Sequence, residues 1–105
     1  MLAALWLRLR GYRILARRYR SPVGEIDLIA RRGGVIAAVE VKLRADRAQA
    51  AEAITARQWQ RIARALALWI QSHPEHAGRD LRFDALLMAP GRMPRHLPDA
   101  WRPDR

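Results

Sequence analysis

The sequence predicts an α/β fold in a single domain, with a central mixed β-sheet flanked by helices. Two strand-like runs, residues 25 to 31 and 35 to 43, flank Gly33-Gly34, which is a two-residue hairpin signal. A helical period then occupies residues 48 to 72, and a further strand-like run follows at 81 to 88. A chain of 105 residues forms one domain and buries roughly 65% of the surface its unfolded form exposes.

Leu2, Leu5, Trp6 and Leu9 recur at spacings of three and four, one apolar helical stripe that Gly11 can terminate as a C-terminal cap. Residues 12 to 19 read as a strand with Ile14 and Ala16 on one face and Leu15 on the other. Ser21-Pro22-Val23-Gly24 breaks it. On the next strand Ile26, Leu28 and Ala30 form the face opposite Asp27. The long helix, Ala48 to Ser72, carries Ile54, Trp59, Ile62, Leu66, Trp69 and Ile70 mostly at helical spacing, and Ser72-His73-Pro74 ends it. After the strand Leu81 to Met88, the tail 90–105 holds Pro90, Pro94, Pro98 and Pro103, which argue against regular structure. Trp101 is its expected anchor, and Trp6, Trp59 and Trp69 fall in apolar stripes that predict core positions.

The hairpin register follows from the turn. A two-residue loop pairs Arg32 with Val35, and counting back sets Asp27 across from Glu40 and Glu25 across from Lys42, all on one face. Glu40 and Lys42 share that face because strand side chains alternate. Opposed Cβ atoms lie only about 4.5 to 5.5 Å apart, so two facing carboxylates repel, and a cation between them removes the conflict. Mg²⁺ takes one or two carboxylates plus water and phosphate oxygens, which suits Asp27 and Glu40. Such an ion polarises a phosphate and lowers the pKa of bound water, while Lys42 offsets charge building on phosphate oxygens. The same pattern also describes a solvated hairpin face on which charges alternate in sign.

Gly24-Glu25-Ile26-Asp27-Leu28-Ile29-Ala30 followed by Val39-Glu40-Val41-Lys42-Leu43-Arg44 resembles the YraN-type family of bacterial proteins. That family is similar to the Holliday-junction-resolvase branch of the restriction-endonuclease-like superfamily, whose signature is an Asp, a spacer and Glu-x-Lys. The resemblance runs from Gly11-Tyr12-Arg13-Ile14-Leu15 to Arg82-Phe83-Asp84. It implies a restriction-endonuclease-like fold, Asp27 and Glu40 as ligands of Mg²⁺ or Mn²⁺, and Lys42 as the catalytic lysine. Relatives of this kind open with a longer first helix bearing a Gly-Glu pair, which is not present here. Glu25 is the nearby auxiliary acid, with ion pairing to Lys42 as its first expected role. Polar groups on the helix near the site are a feature of such folds, which makes Gln58 a second auxiliary candidate and Gln60 a weaker one.

Twenty Lys and Arg against ten Asp and Glu give a formal charge of +10. With a pI near 11.7, the chain is expected to attract polyanions. The cations are almost all arginine, which forks onto phosphate and favours nucleic acid over an anionic membrane, although arginine also tracks genome composition. Arg57, Arg61 and Arg64 lie on one helical face, and Arg44 follows the Lys42 strand, so these four are the candidate nucleic-acid contacts. No cysteine is present, which excludes disulfide staples and thiolate zinc sites and fits the cytoplasm. The apolar start lacks a basic leader and a cleavage site, and Arg8 and Arg10 keep it shorter than a membrane span. His73 and His76 flank Pro74 and read as loop histidines, and Asp84 as a structural partner of Arg82.

The expected function is therefore a metal-dependent endonuclease acting on DNA, with branched DNA a candidate substrate. The alternatives are a nucleic-acid-binding module that keeps the fold without turnover, or a basic adaptor that recruits a protein. Junction cutters work as two-fold dimers, so the resemblance allows a homodimer.

Overall fold

Gly33 turns the chain at φ +59°, the left-handed region open to glycine, and joins strand β2 (Gly24–Arg32) to strand β3 (Val35–Leu43). The ladder between them starts at Arg32 opposite Val35 and continues in register to Leu28 opposite Val39. These strands are the centre of a computed structural model that describes residues 2–43 and 53–104. Before them come helix α1 (Leu2–Leu9), closed by Gly11 at φ +89°, and strand β1 (Arg13–Ser21). After them come helix α2 (Ala56–Gln71), a 3₁₀ turn at Pro74–His76, strand β4 (Asp80–Met88) and strand β5 (Arg95–Trp101).

The five strands lie in the order β1-β2-β3-β4-β5. Pairing is antiparallel except between β3 and β4, where α2 lies in the crossover that a parallel pair requires. The fold is thus α/β, with a mixed sheet between the two α-helices of the described residues. Alternation divides the core accordingly. Ile29, Ile36, Ala38, Phe83, Ala85 and Leu87 pack on the α2 side against Trp59, Ile62, Leu66 and Trp69. Leu28, Ala30, Ala37, Val39 and Leu86 pack on the other side against Ala3, Ala4 and Leu7 of α1. Among the described residues no helix is long and apolar enough to cross a membrane.

Several expectations change. Ile26 joins the α2-side cluster and so parts from Leu28 and Ala30, which pack together on the α1 side. The regular ladder stops at Leu28, and Arg18 on the neighbouring strand sits at φ +50°, so alternation is interrupted there. A register shift between Ile14 and Ala16 likewise puts Leu15 and Ala16 together on the α2 side, with Ile14 alone on the α1 side. The helix that runs to Gln71 begins at Ala56, because Thr55 caps it by accepting the Gln58 N–H. Arg44 and the predicted helix start at 48 lie outside the described residues.

The proline-rich tail forms β5. Its ladder to β4 is irregular between Phe83 and Ala85, the stretch opposite Pro98, so the missing proline donor costs no regular bond. Trp101 anchors the strand, as expected, stacked on Trp59 at 6.2 Å and edge-on to Phe83 at 5.5 Å. Asp84 is fully buried on β4 and accepts bonds from Arg82 Nε at 2.9 Å, Arg82 Nη2 and His96 Nε2 at 2.8 Å each, and the Asp99 N–H at 3.0 Å. Burial opposes its charge, but the His96, Arg82 and Asp99 bonds outweigh that and hold its carboxyl below the usual range.

Candidate active site

The site begins where the β2–β3 ladder ends. Beyond Leu28 and Val39 the next positions by counting are Asp27 and Glu40, and there the Asp27 carboxylate replaces the backbone pairing, with Oδ2 accepting the Val41 N–H at 2.8 Å. That bond satisfies a strand donor and fixes Asp27 beside Glu40. Gly24, at the start of β2, lets α2 approach. A Cβ there would lie 2.6 Å from the backbone oxygen of Arg61, so helix and strand meet at a distance only glycine permits.

Glu40 is buried, and Gln58 Nε2 donates to its Oε2. Lys42 Nζ stands 3.7 Å from the same oxygen. Burial, then the hydrogen bond and charge of Asp27, push the Glu40 carboxyl up to about 8, against a smaller opposing pull from Lys42. Without a cation, burial and the neighbouring Asp27 thus favour the protonated form of Glu40 at neutral pH. A divalent ion has the charge to replace that proton, and the paired carboxylates are hard oxygen donors of the kind Mg²⁺ and Mn²⁺ take. The donor set fits such an ion. Among the described residues no third His, Asp or Glu joins them.

Asp27, Glu40 and Gln58 line a cleft of about 470 Å³ between the sheet and α2. Arg57 and Arg61 line it too, and both also line a neighbouring hollow of about 440 Å³ with Arg64 and Gln60. Three of the four predicted phosphate contacts therefore share one surface beside the acids. Lys42 reaches Glu40 but does not line the cleft.

Glu25 lies at the cleft mouth, and its partner is Arg20 rather than Lys42. Arg20 Nε stands 3.7 Å from Glu25 Oε1, both side chains are exposed, and the two residues face each other across β1 and β2. The expected pairing fails because β2 and β3 separate before reaching it. His73 and His76 both stack on Trp69, and His73 Nδ1 lies 2.7 Å from the Trp69 carbonyl, a packing role remote from the acids.

Two contributors escaped the sequence reading. Gly24 stands in the motif, but its demand for close helix approach needs a fold to be visible. Thr55 sets the register that aims Gln58 at Glu40, and its signal was an N-cap residue three positions before a glutamine.

A family model described as "Uncharacterised protein family UPF0102" matches residues 1–88. A UPF0102 protein of Rhodopseudomonas palustris strain BisB18 is 58% identical over 99 residues, covering 94% of this chain and 73% of that protein. Another, from Parvibaculum lavamentivorans, is 55% identical over 102 residues, covering 97% and 77%. A third, from Paramagnetospirillum magneticum, is 55% identical over 107 residues, covering 98% and 83%. With the motif strands, the cleft helix and β4 all inside the matched region, this chain belongs to the UPF0102 family, the YraN type.

Proposed function

We propose that the protein is a metal-dependent endonuclease that hydrolyses phosphodiester bonds in DNA, with branched DNA a candidate substrate. The observation that carries this reading is the cleft in which Asp27 and Glu40 share a wall with Arg57 and Arg61. Asp27 and Glu40 would hold Mg²⁺ or Mn²⁺, which when bound supplies a Lewis acid for the phosphate and an acidified water. Arg57, Arg61 and Arg64 bind and orient the backbone through bidentate phosphate contacts. Gln58 holds the Glu40 carboxylate in its rotamer. Lys42 keeps a positive charge beside Glu40, lowering the cost of its ionised form.

A second reading has one observation in its favour. Two acids rather than three converge among the described residues, which suits a binding module that holds DNA without cutting it. Incubating the protein with branched and linear DNA and Mn²⁺, beside the Asp27→Asn and Glu40→Gln variants, separates the two. Cleavage by the wild type that both variants lose is the expected result. DNA binding equal in all three with no cleavage in any assigns the module instead.

A further inference from the structure

On the sheet face opposite the acid cleft, a pocket of about 350 Å³ is lined by Trp6, Arg10, Tyr12, Arg32, Arg95 and His96. Three arginines line it, and no carboxylate does. None of the three is within ion-pair distance of an acid among the described residues. Gathering like charges without a counterion is unfavourable, and long arginines are free to separate into solvent. Two of these are instead held. Arg32 lies 4.7 Å over the Tyr12 ring and donates through Nη1 to the Arg10 carbonyl at 3.2 Å. Arg10 lies 4.6 Å over the Trp6 ring.

The floor beneath them is also fixed. Tyr12 is buried, its hydroxyl accepts from Arg82 Nη2 at 2.6 Å, and its ring meets the edge of His96 at 5.6 Å. His96 Nε2 is bound to Asp84, which turns the rest of the imidazole toward the pocket wall. Asp84 itself is engaged by Arg82, His96 and the Asp99 N–H, and its ion-pair partners are Arg82 and His96 rather than the pocket arginines.

We infer that this pocket is an anion site for a phosphate monoester, the doubly charged group that two held guanidiniums and a third arginine on the same wall match best. Two sources carry that group, a free nucleoside 5′-monophosphate and the 5′-phosphorylated end of a DNA strand. The site stands on the opposite side of the sheet from the proposed catalytic cleft, and it does not depend on that reading.

Isothermal titration of the full chain with inorganic phosphate at low salt tests it, comparing wild type with Arg32→Gln and Arg95→Gln. Arg17→Gln, an exposed position on β1, controls for net charge, and circular dichroism checks that each variant folds. Saturable binding that weakens at least tenfold in both pocket variants, but less than threefold in the control, is the expected result. Titration with adenosine 5′-monophosphate, and with one oligonucleotide bearing or lacking a 5′-phosphate, then assigns the source by whichever binds tightest in a pocket-dependent way. Absence of saturable phosphate binding, or equal losses in Arg32→Gln and Arg17→Gln, overturns the site.

Discussion

Asp27 Oδ2 accepts the backbone N–H of Val41 at 2.8 Å, so one side chain both closes the β2–β3 ladder and presents a carboxylate to the cleft. The two duties separate by substitution. Asp27→Asn keeps an acceptor for Val41 and loses only the charge, so stability by urea denaturation should change by less than about 1 kcal/mol while Mn²⁺ binding disappears. Asp27→Ala strands the donor as well and should cost about 1 to 3 kcal/mol. Equal stabilities for Ala and Asn would mean that the Val41 bond carries nothing.

Glu40 makes stability depend on pH in an unusual direction. Its folded pKa, about 8, lies above the unfolded value near 4.5, so between them the native state binds more protons than the unfolded state. Its contribution is therefore complete below pH 4.5 and falls as pH rises toward 8. In metal-free buffer at pH 8, Glu40→Gln should raise stability by at least about 1.4 kcal/mol, the equivalent of one pKa unit. Mn²⁺ affinity of the wild type should climb as pH rises toward 8, because the ion competes with that proton. A flat affinity from pH 6 to 8 in calorimetric titrations would contradict this.

Gly24→Ala puts a methyl group 2.6 Å from the Arg61 carbonyl oxygen, and backbone cannot step aside as a flexible side chain would. The expected loss is about 1 to 3 kcal/mol, with α2 displaced from the sheet. Since α2 carries Gln58 and the arginines, DNA affinity should fall as well. A variant as stable as wild type would show that the helix accommodates the methyl group by a small shift.

Replacing Arg57, Arg61 and Arg64 singly by Gln should weaken DNA binding similarly for every sequence and reduce the salt slope by about one each. Fluorescence anisotropy across a salt series measures it. An unchanged slope would remove that residue from the contact surface.

Asp84→Ala leaves Arg82 and His96 facing a buried gap, a loss of about 3 to 5 kcal/mol of the kind seen when one partner of a buried ion pair is removed. The carboxyl's depressed pKa means that the wild type's share of this stability is present at neutral pH and lost as acid protonates it. Thermal melts at pH 7 should separate the two proteins widely, and the gap should narrow in acid.

The hairpin register was legible because Gly33-Gly34 fixes the pairing and every later pair follows by counting. The stripe of Arg57, Arg61 and Arg64 was legible from helical spacing alone. Counting failed at the ladder's end, where Glu25 turned to Arg20 on the other neighbouring strand. Which neighbour a charged side chain chooses depends on strand separation, and a two-strand register carries no information about that. Strand β5 was hidden because a proline argues against pairing locally, whereas a bulged rim position tolerates it. The Gln58 contact and the Gly24 approach both depend on where α2 docks, a long-range fact.

The two outermost strands limit how this sheet can grow. β1 presents exposed Arg13, Arg17 and Arg18 with a left-handed kink at Arg18, and β5 carries exposed Pro98 with Asp99 at φ +55°. Each rim is thus guarded by charge, a kink or a missing donor against accepting a foreign strand. Copies of this protein are poor templates for one another's edges, and a crowded, highly basic chain is spared that route to aggregation.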